Sequence, residues 1–270
     1  YLDDRVSAAK KLLSAWSFNA ANGVGAEAGS QKATDAAATA IFNTFQSYLV
    51  HNLFDDELGQ TGLGTALTVR LLIRMLEKPA SLATYDNETG DSRIWDVQGT
   101  KERETKAEIM LGSLSQALTF LASSDKVGPL EAGGFGTDDM NQWRWGALHT
   151  LTLTNNLSSI NNIPSSSVSP GGFPRHGDNF CVDASHPGLG DRSFTFSGGP
   201  SIRHVFELSD SVVRYGALPG GQHENPFNTH YQDEMALWVQ NEAPVVLWQT
   251  SDVLQDKEKV SDLIPPGAVQ

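Results

Sequence analysis

The stretch GGQHENPFNTHYQDEMALW, residues 220–238, brings Gly220, Gly221, Gln222, His230, Tyr231, Asp233 and Glu234 into one short segment. Imidazole, phenol and carboxylate groups this close together could move protons as an active site. They could equally frame a site built elsewhere. His149, in WRWGALHT after two tryptophans, is a second candidate base, although a histidine satisfied by a local hydrogen bond is the commoner occupant of such a position. Arg203 and Glu207, in SIRHVFELSD, stand two steps either side of Val205, as a functional pair or a half-buried ion pair would.

Other chemistry is thinly represented. There is no G-x-S-x-G nucleophile elbow, phosphate-binding glycine loop or dinucleotide fingerprint. EAGGFGTDD has the wrong spacing and no strand before it. The seven histidines are dispersed, H-E-x-x-H is missing, and HGD at His176–Asp178 offers two ligand candidates only. DNETGD, residues 86–91, lacks the alternation of a calcium loop and reads as a solvated turn. The single cysteine, Cys181, excludes an internal disulfide and reads as a small buried hydrophobe within a strand, NFCVDAS.

The elements that must position these residues change character near residue 125. Before it, apolar residues recur at helical steps in DDRVSAAKKLLSAW, TDAAATAIFNTFQSYLVHNLF, GTALTVRLLIRMLEK and ETKAEIMLGSLSQALTFLA. Ile41, Phe45 and Leu49 mark the face of the second, and Met110, Leu114, Leu118 and Leu121 that of the fourth. After it come short β-type runs broken by Gly, Pro, Asn and Ser, with a long polar stretch from 155 to 172. SIRHVFELSD and VVRYGAL read as strands, THYQDEMALWVQ as a helix and APVVLWQ as a last apolar run. Along SIRHVFELSD, Ile202, His204, Phe206 and Leu208 alternate with Arg203, Val205 and Glu207, which gives a largely apolar face. The expectation is an α+β chain, helical over 1–125 and strand-rich over 126–270, forming one structural unit.

At 270 residues the chain can bury a large core. A net charge of -13 opposes nucleic acid and anionic lipid. No run is apolar enough to span a bilayer, and the opening YLDDRVSAAKK has no signal-peptide character. No partnership with nucleic acid or membrane is expected.

WRWGALHTLTL, GFPRHGDNFCVDAS, GGPSIRHVFELSD and ALPGGQHENPFNTHYQDEMALW, in this order and at these separations, resemble the C-terminal half of the large subunit of the penicillin acylase family. The helical opening resembles the helices that precede those motifs. His223 and Glu224 stand where the family has Ser-Gly, and Asn228-Thr229 where it has Ser-Pro.

The resemblance implies an αββα N-terminal-nucleophile sandwich, with antiparallel sheets between helix layers. It also implies amide hydrolysis by a Ser, Thr or Cys at the head of the large subunit, whose own α-amine serves as base. Donors would hold the oxyanion, and water would release the acid. Residue 1 here is Tyr1. The expectation is that nucleophile, oxyanion asparagine and calcium ligands lie upstream, so Asn161, Asn179 and Asn225 are not that asparagine and no catalytic residue or cofactor is assigned here. Glu207, Arg203 and His149 become supports of the site. The 220–233 motif becomes its frame, with His230 and Asp233 tying the following helix to the loop.

The implied partners are a small acylated amine, of β-lactam or acyl-homoserine lactone type, and the remaining α and β portions of the acylase. The implied location is periplasmic or secreted. Alone, the chain is expected to be inactive and to associate through uncovered apolar surface. Two other readings are a non-catalytic binding protein of acylase-like fold and an independent hydrolase with its own triad.

Overall fold

The computed structural model describes residues 4–59, 64–124, 133–155, 157, 171–182, 187–200, 203–208 and 213–257. Contacts divide the chain into two compact units, Tyr1–Gly199 and Pro200–Gln270. The change of character near residue 125 lies outside the described residues, as does most of the 155–172 stretch.

Four longer helices and the short helix Trp145–Leu148 are the α-helices of the first unit among the described residues. α1 (Asp4–Ser14) begins on an acidic residue, suited to a helix N-terminus, and buries Val6 and Ala9. α2 (Gln31–Leu58) starts where the Ser30 side chain accepts from the Ala33 amide. α3 (Thr65–Glu77) gives way to a 3₁₀ turn at Pro79. α4 (Lys106–Ala122) carries a reciprocal capping box between Thr105 and Glu108.

α2 is the axis of this unit, and its small residues are the reason. Ala36, Ala37, Ala38, Thr39, Ala40 and Ile41 are all buried, so this stretch is surrounded rather than laid on a core by one face. Without long side chains there, α4 and the tryptophan-rich segment come close, and Ala40 and Ile41 share a core with Leu118, Leu121, Trp143 and Trp145. A second core, around Leu53, Phe54, Met75 and Trp95, packs the far end of α2 under α3. Each large side chain buried this way stabilises the fold by roughly 1.5–3 kcal/mol.

The strands are short and antiparallel, so the α+β expectation holds. β1 (Tyr85–Asp86) pairs with β2 (Asp91–Ser92), and β3 (Thr150–Leu151) with β4 (Phe173–Pro174). In the second unit β5 (Arg203–Glu207), β6 (Val213–Ala217) and β7 (Val245–Val246) form one sheet with β6 in the middle.

Several expectations are corrected. Asn179–Val182 is turn and bend rather than strand, and Cys181 is exposed, its thiol 3.6 Å from Asp178 Oδ1. Asp178 Oδ1 accepts from the Phe180 amide in an Asx-type bond that closes the chain into that turn. The residues after Val182 in that run lie outside the described ones. The helix expected over 229–240 splits into a 3₁₀ turn, Thr229–Tyr231, and a short helix, Met235–Val239. The apolar face of β5 is uncovered within its unit, with Phe206 50 % and Leu208 90 % exposed.

Candidate functional site

The 220–234 loop is built from its glycines outward. Gly220 has φ +104°, and a Cβ on Gly221 would lie 2.2 Å from the His230 carbonyl oxygen, so the return of the chain leaves room for hydrogen only. Asn225 Oδ1 accepts from the Phe227 amide, and Asn228 Oδ1 from the His230 amide, closing two local turns. The His223 amide donates to the His230 carbonyl at 3.1 Å, joining the two arms.

His230 Nδ1 lies 2.7 Å from Asp233 Oδ2. The residue that binds loop to strand is a different one, Glu234. Its Oε2 accepts from the Leu218 amide at 2.7 Å, its Oε1 from the Gln222 side chain at 2.9 Å, and its own amide donates to the Gly220 carbonyl. Glu234 thus holds the end of the β6 segment, the glycine turn and the start of the Met235–Val239 helix together. Sequence reading placed Glu234 in the cluster but gave it no role of its own, because its partners are a backbone amide 16 positions away and a side chain 12 away.

The three supporting candidates go to different environments. Arg203 lies with its guanidinium 4.3 Å from the centroid of the Trp238 ring, and its Nη1 donates to the Trp238 carbonyl. Trp238 is wholly buried and donates to Pro200 O at 3.1 Å. Arg203 is therefore anchored to the helix that follows the 220–234 loop. Glu207, four residues and about 13 Å of strand rise further along, is exposed opposite Val213. The ion-pair reading of Arg203 with Glu207 gives way to this stacking on Trp238.

His149 sits in the first unit, fully buried between the rings of Trp145 at 4.8 Å and Phe196 at 4.6 Å. Its Nδ1 meets the Phe194 carbonyl at 3.1 Å, and its carbonyl accepts from the Arg175 amide. This is the packing of a core histidine. Nearby, His176 faces Asn22, and burial lowers its pKa.

The first unit also holds a cleft of about 560 Å³ between α2 and α4, within the range of small-ligand sites. His51, Asn52, Asp55, Asp56, Glu104 and Glu108 are among its lining residues. Sequence reading did not assemble it, because its groups are spread from residue 48 to residue 192. Among the described residues no three His, Cys, Asp or Glu side chains converge to hold a metal ion. No described helix is long and apolar enough to cross a membrane.

The penicillin amidase family model matches residues 2–255. Acyl-homoserine lactone acylase QuiP of Pseudomonas aeruginosa is 25% identical over 211 residues, covering 74% of this chain and 23% of that protein. Its counterpart in Pseudomonas syringae pv. syringae is 26% identical over 241 residues, covering 88% and 27%. The chain thus spans about a quarter of the length of these curated relatives. Among solved structures, a thermostable penicillin G acylase from Alcaligenes faecalis aligns over 98% of this chain and 43% of its own. The TM-score is 0.49 and the identity 13%, too distant a likeness to settle details of the fold.

Proposed function

The chain belongs to the penicillin amidase family, and from that premise we propose that it is the C-terminal part of the large subunit of an amidohydrolase cleaving acylated amines. The observation that carries this reading is the family match over residues 2–255, within which the four motifs fall in order. Relatives named for acyl-homoserine lactones favour an N-acyl lactone amide over a β-lactam side chain as substrate.

In the proposed reaction the nucleophile belongs to a portion of the protein upstream of this sequence. Its hydroxyl or thiol attacks the amide carbonyl, its α-amine takes the proton, and the amine departs carrying a proton. Water then attacks the acyl-enzyme, and the carboxylic acid leaves. This chain supplies support. The β5–β7 sheet is its share of the αββα sandwich, and the 220–234 loop, clamped by Glu234, frames the site. Arg203, stacked on Trp238, is a positioning residue whose planar guanidinium keeps its direction. Glu207 and His149 are assigned lesser supporting roles. The partners are the acylated amine and the rest of the acylase, and the location is periplasmic or secreted.

The test compares the 270-residue chain with the longer protein that carries it, each assayed on N-acyl-homoserine lactones and on phenylacetyl amides. Turnover by the longer protein alone, with preference for the lactones, is expected. Hydrolysis by the 270-residue chain alone would sink the assignment of the nucleophile. Inactivity of the longer protein on every acyl amide would favour a non-catalytic binding protein.

A further inference from the structure

The cleft between α2 and α4 is lined by acids with few cations to match them. Asp55 and Asp56 come from the last turn of α2, Glu104 from the segment before α4, and Glu108 from the first turn of α4. Against these four the lining holds Arg192 and His51, whose Nδ1 lies 2.9 Å from Asp55 Oδ2. The cleft is therefore negative even with His51 protonated. Two neighbouring cations are engaged elsewhere, Arg103 with Asp86 at 2.5 Å and Lys106 with Asp91 at 2.6 Å. Among the described residues no lysine or arginine forms an ion pair with any of the four acids. Glu57 stands beside Asp56 but outside the lining, and burial first, then Asp56, push its carboxyl up to about 7.

The carboxylates are held in place by the fold. Asp56 accepts from the Gln98 amide at 2.6 Å and the Glu57 amide at 3.1 Å. Glu104 Oε2 accepts from the Val97 amide at 3.0 Å and the Thr100 hydroxyl at 3.2 Å. Glu108 Oε2 accepts from the Thr105 hydroxyl and amide, both at 2.8 Å, bonds that hold its pKa below the ordinary value. Glu104 and Glu108 thus commit one oxygen each and, among the described residues, leave Oε1 open. Side chains ordered in advance add little to the entropic cost of binding.

Two features other than charge point to an occupant. Tyr48 lines the other end of the cleft and is 7 % exposed, yet its hydroxyl has no hydrogen-bond partner among the described residues. A phenol this buried ordinarily finds one. Its ring is flanked by Phe120 at 6.3 Å and by the Arg192 guanidinium at 5.0 Å, and its oxygen is not sealed in the interior, which leaves the cleft as its open side. Gly112, inside α4, also lines the cleft, and a Cβ there would meet nothing of another element within 4 Å among the described residues. Glycine weakens a helix relative to alanine, and no close approach requires this one. What its missing side chain leaves is room. Asn52 fixes the floor, donating across to Ser113 Oγ at 2.9 Å and Gln116 Oε1 at 2.8 Å.

We propose that this cleft binds a linear polyamine, its ammonium groups along the four carboxylates and one terminal nitrogen donating to the Tyr48 hydroxyl. Tyr48 and Asp56 are eight residues apart on α2, about 12 Å, so the ligand lies extended. Among the described residues no three acids converge as a metal ion would require, and charges spread along a cleft suit a chain of amines better than one compact cation. The site is independent of the hydrolytic reading, whose standing its failure would not change.

The test is titration calorimetry of spermidine into the longer protein that carries this chain. One equivalent should bind per chain, with an affinity that falls as salt rises, and magnesium ion at equal concentration should not displace it. Glu104→Gln combined with Glu108→Gln should weaken binding roughly tenfold, since glutamine keeps the acceptor oxygens and the capping box but not the charge. Tyr48→Phe should weaken it about threefold. Gly112→Leu should weaken it roughly tenfold by filling the cleft while raising the melting temperature, a combination that misfolding cannot produce. Glu27→Gln, at an exposed carboxylate outside the cleft, should change nothing. No binding by the longer protein, displacement by magnesium ion, an affinity unmoved by Gly112→Leu, or a loss in Glu27→Gln as large as in the paired glutamate variant would overturn the site.

Discussion

Gly221 and Glu57 show how much one residue's meaning depends on what surrounds it. The paired glycines announce a turn, but only the structure shows the His230 carbonyl oxygen 2.2 Å from where a Cβ would stand. Gly221→Ala should therefore cost on the order of 1–3 kcal/mol by forcing the loop off its path, seen as a lower midpoint in urea. A midpoint unchanged within error would mean the loop adjusts freely. Glu57 lies in a run of acids, Asp55–Glu57, and nothing in the run singles out one carboxyl from the others. Its folded-state pKa is raised to about 7 from 4.5, so the folded state keeps a proton that the unfolded chain releases. The stability this contributes is complete below about 4.5 and is lost as pH rises through about 7. In Glu57→Gln, stability should fall less over that interval than in the unaltered protein.

At the scale of elements, helices were legible where periodicity and end signals agreed. Thr105-x-x-Glu108 before an apolar run is such an agreement, and α4 begins there with both reciprocal bonds formed. Thr105→Ala should cost about 1 kcal/mol and speed amide exchange in the first turn of α4 while leaving its last turn alone. Equal exchange along the helix would show that packing on α2, not the cap, holds that end. The burial of α2 from Ala36 to Ile41 was not legible as such, since a run of alanines scores as weakly apolar and only α4 and Trp143 lying over it explain why it is small. The β5 strand was legible by alternation, and VVRYGAL was read as the strand that β6 forms. The same alternation misled in NFCVDAS, where Asp178 turns the chain. The clamp role of Glu234, a residue already named in the cluster, was not legible for a related reason, because its bond to Leu218 is long-range and carries no local pattern.

For the molecule as a whole, the pattern of β5 told that one face is apolar but could not tell whether anything covers it. Among the described residues of the second unit β5 is an edge strand, with Val205 62 %, Phe206 50 % and Leu208 90 % exposed. An edge with free backbone groups and apolar side chains is a template for pairing with another strand. A chain that spans about a quarter of its relatives' length leaves room for that strand to come from the rest of the protein. If so, the 270-residue chain by itself should associate as its concentration rises, and Phe206→Lys should suppress the association by placing charge on the contact surface. Light scattering across a concentration series reads this directly. A monomer at every concentration would show that the β5 face is stable in water, and would remove the physical reason for expecting a covering strand. Association that Phe206→Lys leaves unchanged would place the contact on another surface, and the exposed apolar residues of α3, Leu67 and Ile73, would be the next to alter.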